Sequence, residues 1–327
     1  MIQTKKHSGQ GFTLIDCHAA KRGFTLIELS IVLVIIGLIA GGVLVGQDLI
    51  NAAAIRAQIS QIEKYNTAVN TFRGKYGYLP GDIPDPYASQ YGFYGRGQYP
   101  GEGDGDGLIE GVFADGPGNG TYNDGSYQGI GETPMFWVDL TKASLIDGGF
   151  SLASSTQPPS IDPVTLSSSP NLNAYFPQAK LGAGNYIYVW GDTTRIDEMN
   201  GFNNFNFFGI SAISVLGGAG YPIFTSPGLS VQQAYAIDQK MDDGLPQSGK
   251  VIAMYLGGFA RWAGDAYIPG GPAGSSAYPV TSGTGIKTVG APTTCYDNGN
   301  VAGAMEQYSM SQNGGAGINC ALSFQFQ

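Results

Sequence analysis

Histidine is nearly absent from this chain of 327 residues: it has only His7 and His18. The rest of the chain therefore offers no histidine for a catalytic triad, a metal site or a proton shuttle. Charge is also sparse, at 13% of residues, and the net charge is −9. An acidic chain with few lysines and arginines is a poor nucleic-acid binder, so we expect no nucleic-acid partner. Because the rest of the chain has no histidine, we also expect no enzymatic activity.

The strongest positive feature is an apolar run of 23 residues, from Phe24 to Gly46, that contains a single charge, Glu28. At ~1.5 Å per residue, a helix of this length spans roughly 30 Å of hydrocarbon. A carboxylate there costs on the order of 2.5–3.5 kcal/mol, so Glu28 needs a partner or a purpose. Lys21 and Arg22 precede the run and favour the cytoplasmic side, which predicts that the residues after Gly46 lie outside.

The stretch Lys21-Arg22-Gly23-Phe24-Thr25-Leu26-Ile27-Glu28 resembles the N-terminus of type IV pilins and type II secretion pseudopilins. The resemblance implies that a prepilin peptidase cuts after Gly23 and methylates Phe24, which makes residues 1–23 a leader. It also implies that Glu28 of one subunit meets the α-amino group of Phe24 on its neighbour in a filament. The alternatives are a plain membrane anchor and an ordinary signal peptide, although signal peptides have a shorter apolar core.

The helix that starts in the apolar run is expected to continue to Tyr76. No proline occurs between Phe24 and Tyr78, and apolar residues recur at steps of three and four: Ile55, Ile59, Ile62, Tyr65, Val69, Phe72 and Tyr76. We therefore divide the chain into a leader of residues 1–23, a helix of residues 24–76 and a head of residues 77–327. The helix has a membrane-spanning half and an amphipathic half.

The head is predicted to be a single α+β domain with an antiparallel β-sheet and Gly-rich loops. Segments rich in aromatic and β-branched residues predict strands over residues 186–190, 205–216, 250–256 and 322–326. Capping and turn signals predict one helix from Met135 to Ile146, with Thr133 as its cap, and another from Val231 to Met241. A head of ~240 residues can bury a core of its own.

Two cysteines, Cys295 and Cys320, lie near the C-terminus with 24 residues between them. Outside the cytoplasm disulfides persist, and closing a loop of this size contributes roughly 3 kcal/mol. We therefore predict a disulfide between them, with free buried thiols as the alternative. A disulfide here is also similar to the C-terminal disulfide-bounded region of many type IV pilins.

Residues 102–110 form a candidate calcium site. Glu102, Asp104 and Asp106 alternate, and Glu110 follows, which resembles the first half of a calcium loop. Phe113 stands where such a loop needs a bidentate glutamate, so further oxygens would have to come from Asp115, Asn119, Asn123, Asp124 or Glu132. A solvated acidic loop is an equal alternative. No cofactor is required for the predicted role, and Ca²⁺ is the one candidate.

These features predict a structural subunit of a type IV pilus-like or type II secretion pseudopilus filament. The resemblance implies four partners: copies of this chain, other pilins, the prepilin peptidase and the inner-membrane assembly machinery. Before assembly the chain would cross the inner membrane once with its head in the periplasm. Afterwards it would belong to a periplasmic or cell-surface filament.

Two other functions stay open. One is a minor pilin or adhesin whose head binds a glycan or a surface in a calcium-dependent way. The other is a membrane-anchored hydrolase that uses Asp104 and Glu110, although nothing in the sequence fixes the separation that such a carboxylate pair needs.

Overall fold

A computed structural model of the chain describes residues 24–97, 101–113, 122–150, 164–165, 172–191, 204–216, 222–258, 260–263, 294–297, 305–311 and 315–326. The predicted leader, residues 1–23, lies outside the described residues. The chain divides into two compact units, Met1–Ile50 and Asn51–Gln327.

The long N-terminal helix predicted from the sequence is confirmed: α1 runs from Leu26 to Tyr76. In the first unit its large apolar side chains are exposed, and the helix is long and apolar enough to cross a membrane. In the second unit a stripe at helical spacing is buried in the core of the head: Ile55, Ile62, Tyr65, Val69 and Phe72.

The described part of the head also contains three further helices and fourteen short strands. The helices are α2 Tyr87–Gln90, α3 Glu132–Lys142 and α4 Val231–Met241, with a 3₁₀ turn at Leu172–Ala174. The strands are β1 Gly111–Phe113, β2 Tyr122–Asp124, β3 Val164–Thr165, β4 Asn185–Gly191, β5 Asn206–Leu216, β6 Phe224–Ser226, β7 Leu229–Ser230, β8 Val251–Ile252, β9 Met254–Leu256, β10 Ala260–Trp262, β11 Tyr296–Asp297, β12 Gln307–Tyr308, β13 Ile318–Cys320 and β14 Leu322–Gln325.

The main sheet is antiparallel, has six strands and is centred on β5. β5 pairs along its first half with β4 on one side and β14 on the other, while β6 and β3 pair with its second half. β14 pairs in turn with β8, so it lies between β5 and β8. Four smaller antiparallel pairs, β1–β2, β7–β13, β9–β10 and β11–β12, surround this sheet. The predicted α+β class with antiparallel sheets is confirmed.

Aromatic residues of β5 pack on both faces of the main sheet. Successive strand residues point to opposite faces, and Phe207 stacks on Trp190 of β4 with ring centroids 4.6 Å apart. Phe208 faces the helices, with its ring centroid 6.0 Å from that of Phe136 in α3 and 6.1 Å from that of Tyr65 in α1. The core thus joins the second half of α1, α3 and the sheet, and explains the high aromatic content by packing.

Two element predictions need correction. The predicted helix Met135–Ile146 begins earlier, at Glu132, and ends earlier, at Lys142, and its cap is Gly131, not Thr133. Thr133 instead donates its hydroxyl to the carbonyl of Tyr127 at 2.7 Å, because the preceding loop supplies an acceptor there. The predicted strand over residues 250–256 is two strands in different sheets, since β8 pairs with β14 and β9 with β10.

A disulfide joins Cys295, just before β11, to Cys320 at the end of β13. Both cysteines are fully buried. The bond ties two small peripheral sheets together, and β14 of the main sheet follows directly after it in the chain.

Replacing both cysteines with serine, Cys295→Ser with Cys320→Ser, should lower the free energy of unfolding by about 3 kcal/mol, because the loop between them is no longer closed. Guanidinium unfolding of the full chain in detergent, followed by tryptophan fluorescence, measures this. Reduction of the wild-type chain with dithiothreitol is the control, because it breaks the same bond without a substitution and should give the midpoint of the double variant. If the double variant unfolds at the wild-type midpoint, the bond does not stabilise the head.

Candidate functional site

Thr25 and Glu28 cap the N-terminus of α1. Oε2 of Glu28 accepts hydrogen bonds from the Thr25 backbone N–H at 2.8 Å and from the Thr25 hydroxyl at 2.9 Å. The Glu28 backbone N–H lies 3.3 Å from the same hydroxyl oxygen. This reciprocal arrangement is a capping box, and it occupies the one carboxylate of the apolar run. The Thr-x-x-Glu spacing signals such a box, and our sequence predictions did not include it.

Phe24 immediately precedes this cap, and its side chain is 88% exposed. Because Phe24 lies two residues before the first residue of α1, its backbone nitrogen is at the same end of the helix as the Glu28 carboxylate. The predicted cleavage residue, Gly23, lies outside the described residues. Cleavage after it would place a charged amine at this end of the helix.

Residues 18–44 match a family model, the prokaryotic N-terminal methylation motif. The chain carries the type IV pilin and pseudopilin signature. The match covers the basic pair, the glycine, Phe24, Glu28 and most of the apolar run. It supports a pilin-like or pseudopilin protein that is processed by prepilin peptidase, and it fits a membrane-anchored precursor. No curated protein and no solved structure matches the chain.

The head contains a loop whose backbone packs around buried carboxylates. Asp82 is 1% exposed, and its two oxygens accept from the backbone N–H groups of Gly105 at 2.6 Å and Gly107 at 2.9 Å. Both glycines have positive φ, +83° and +92°, a conformation that other residues rarely adopt. The glycine spacing of this loop therefore lets two alternate N–H groups converge on one carboxylate.

A second buried carboxylate, Glu132 at the start of α3, supports the same loop. Its Oε1 accepts from the N–H of Gly103 at 3.0 Å and of Asp104 at 3.4 Å, and its Oε2 accepts from the N–H of Glu110 at 3.0 Å. Glu132 was one of several residues predicted to supply an oxygen ligand to calcium, but its oxygens accept hydrogen bonds from the backbone of the loop. Of the other residues predicted to supply oxygen ligands, Asp115 and Asn119 lie outside the described residues.

Three carboxylates form a group that could hold a cation: Asp82, Asp104 and Asp106. One oxygen from each lies within 4.8 Å of the others, and Asp104 and Asp106 are exposed. The ion pairs in the described part of the chain join Lys64 to Asp147 and Arg96 to Asp139, so no described basic side chain neutralises the group. Carboxylate oxygens without nitrogen or sulfur ligands suit a hard cation such as Ca²⁺ or Mg²⁺.

The candidate calcium residues predicted from the sequence have different environments. Asp104 and Asp106 belong to the three-carboxylate group, whereas Glu102 and Glu110 are buried and are not members of it. The carboxylate of Glu102 fills the space that a side chain would need at Gly97. Asp82 takes part instead, and it is 22 residues before Asp104, so no local spacing could have identified it.

Burial and nearby negative charge raise the pKa values of two carboxyl groups here, Asp82 and Glu132. Burial, with added repulsion from Asp106 and Asp104, raises the pKa of Asp82 to about 8. Burial and the nearby Asp82 also raise the pKa of Glu132 well above its usual range. A bound cation would oppose both effects, because it stabilises the ionised carboxylates.

A second acidic group, Asp238, Asp242 and Asp243, closes the end of α4. Asp238 accepts from Tyr308 at 2.7 Å and from the Gly244 N–H at 3.1 Å, and Asp242 accepts from the Val251 N–H at 3.0 Å. Burial raises the pKa of Asp238 to about 7. These hydrogen bonds fix the turn between α4 and β8, and we interpret the group as structural.

In the presence of a chelator, the free energy of unfolding should fall as the pH rises from about 4 to about 8. The reason is that Asp82, Glu132 and Asp238 have raised pKa values in the folded head, which therefore binds more protons than the unfolded chain in this range. Urea unfolding at several pH values measures the slope.

In the Asp82→Asn variant the free energy of unfolding should fall less steeply with pH, because asparagine has no proton to lose. Asp147→Asn is the matched control: Lys64 lowers the pKa of Asp147, so the slope above pH 4 should not change. A free energy of unfolding that is constant or rises over this range would contradict the assignment.

Proposed function

We propose that this chain is a structural subunit of a type IV pilus-like or type II secretion pseudopilus filament. The observation that supports it most is the methylation motif over residues 18–44, followed by an exposed apolar helix with one carboxylate. In this proposal the peptidase cuts after Gly23, methylates Phe24, and subunits polymerise through the first part of α1. The role of the head is mechanical and not catalytic.

Glu28 gives the filament its register in this proposal. In the single subunit its carboxylate is bonded to Thr25. A neighbouring subunit offers a stronger partner, the charged α-amino group of its Phe24, because a hydrogen bond between two charged groups is stronger than one to a neutral donor. Exchange of partners would offset two charges within the membrane and align each subunit one step from the next.

Glu28→Gln should leave cleavage after Gly23 and methylation of Phe24 intact but reduce the chain in the sheared surface fraction by about a hundredfold. An unpaired amine in the membrane costs about 2.5–3.5 kcal/mol, which corresponds to roughly that factor. Intact mass and N-terminal sequencing of the sheared and membrane fractions measure both steps, in cells that produce the prepilin peptidase.

Two control variants separate pairing from other effects. Asp48→Asn removes the next carboxylate along α1 and should assemble normally. Thr25→Val removes the cap but keeps Glu28, and should also assemble. A wild-type chain that stays uncut, or a Glu28→Gln variant that is as abundant in the sheared fraction as Asp48→Asn, would contradict the proposal.

We also propose that Asp82, Asp104 and Asp106 bind Ca²⁺. Their proximity, the exposure of Asp104 and Asp106, and the absence of a described basic partner support this. The residues that hold the loop, Gly105 and Gly107, would keep Asp82 aimed at the ion through its two backbone hydrogen bonds. A bound ion would stabilise the loop by offsetting the repulsion among the three carboxylates.

Ca²⁺ at a hundred times its dissociation constant should stabilise the wild-type chain by about 2.7 kcal/mol, seen as a higher Tm. Asp104→Asn with Asp106→Asn should abolish this increase. Asp242→Asn with Asp243→Asn removes the same charge from the second acidic group, and this variant should still show the Ca²⁺-dependent increase in Tm. Equal increases in all three proteins, or none in the wild type, would show that Ca²⁺ does not bind this group.

The second candidate function is a minor pilin or adhesin that binds a glycan or a surface through calcium. The exposure of Asp104 and Asp106 favours it, because an ion at this position would keep coordination sites open to a sugar hydroxyl. Abundance separates the two functions: a filament subunit dominates purified fibres, whereas an adhesin is scarce in them.

A further inference from the structure

Positive charge is concentrated in the part of α1 that belongs to the head unit. Residues 51–76 contain Arg56, Lys64, Arg73 and Lys75 against one acid, Glu63, which gives a net charge of +3. Residues 77–327 contain eight basic and 21 acidic residues, a net charge of −13. The chain thus has one basic segment beside a strongly acidic remainder.

The end of this basic segment adjoins a surface of exposed tyrosines. Tyr87, Tyr91 and Tyr94 are 45%, 48% and 51% exposed. The Tyr91 ring lies 5.3 Å from that of Tyr76 at the end of α1, and buried Phe93 packs 4.9 Å from Tyr76 beneath them. These contacts hold Tyr91 against Tyr76, and the Tyr87 ring lies 5.8 Å from that of Tyr78. About half of the surface of each of the three tyrosines stays open to solvent.

Two lysines lie on the rings of this surface. Lys75 Nζ is 4.9 Å from the Tyr76 ring centroid, and Lys142 Nζ, at the end of α3, is 3.9 Å from that of Tyr94. We call Lys75, Tyr76, Tyr87, Tyr91, Tyr94 and Lys142 the basic–aromatic surface. Neither lysine is in an ion pair in the described part of the chain, so both charges are available to a partner.

The local explanations cover only part of this arrangement. Cations such as Lys75 stabilise a helix C-terminus by about 0.3–1 kcal/mol, which accounts for its position in the last turn of α1. That effect does not require three exposed tyrosines beside it. Tyrosine is enriched at protein interfaces, whereas lysine is depleted from their centre, so Lys75 and Lys142 would lie in the rim of such an interface.

We propose that the basic–aromatic surface docks on the acidic head of a second copy of this chain. The opposite charges of residues 51–76 and 77–327 favour that partner, because each copy supplies the complement of the other's surface. Two different surfaces in contact form a head-to-tail interface, which repeats from one copy to the next and builds a helical polymer when the repeated rotation does not close into a ring. The inference rests on the proposed filament function and assigns a second subunit contact to it.

The first test compares two charge reversals in the full chain, made in cells that assemble it. Lys75→Glu with Lys142→Glu reverses the charges of the surface. Lys240→Glu with Lys250→Glu is the matched control, because it reverses two exposed lysines on another part of the head. The first variant should be about tenfold less abundant in the sheared fraction than the control, since charged rims govern association. Precursor cleavage and protease resistance should be the same in both.

The second test identifies the partner without disturbing any charge. A photo-reactive phenylalanine in place of Tyr91, in otherwise wild-type fibres, should form a covalent dimer of this chain. Peptide mapping should place the second end within residues 77–327.

Each outcome decides the inference. Equal abundance of the two charge variants, or a Tyr91 crosslink to carbohydrate or to another protein without a chain dimer, overturns it and leaves the filament proposal intact. If the unmodified chain itself is missing from the sheared fraction, the filament proposal fails and the inference fails with it.

Discussion

The segment between α1 and α3 is held by three buried carboxylates: Asp82, Glu132 and Asp139. Asp82 and Glu132 accept five backbone N–H groups of the loop over residues 103–110. Asp139 accepts from the Gly81 N–H and pairs with the buried Arg96. A segment with little regular structure must satisfy its backbone donors somewhere, and here buried carboxyl groups do so. The cost is the burial of carboxyl groups close to one another, which raises the pKa values of Asp82 and Glu132, and a bound cation would offset that cost.

The parts of this fold that the sequence predicts are those with a regular period. α1 follows from apolar residues at helical spacing, and β4, β5 and β14 follow from aromatic and β-branched runs. The parts that it does not predict depend on partners distant in the chain. Asp82 joins Asp104 and Asp106 only because the loop returns to it. The break between β8 and β9 arises because each strand pairs with a different neighbour, which no feature within residues 250–256 reveals.

The capping box at Thr25 and Glu28 gives the carboxylate of the apolar run a partner at every stage. In the single subunit, Thr25 satisfies it locally. In the proposed filament, the amine of another subunit would replace that bond. The free energy gained on assembly is therefore the difference between the two partners and not the full strength of the ion pair. A small difference of this kind is compatible with a subunit that is stable in the membrane before assembly and whose assembly is reversible.

The position of β14 limits when the head can fold. Its four residues, Leu322–Gln325, follow all the other described strands in sequence but lie inside the main sheet, between β5 and β8. In the proposed topology, the edges of β5 and β8 that these residues cover would stay unpaired until the residues cross the membrane, and exposed strand edges promote aggregation. If the head is exported as proposed, its main sheet can be completed only after residues 322–325 have crossed the membrane.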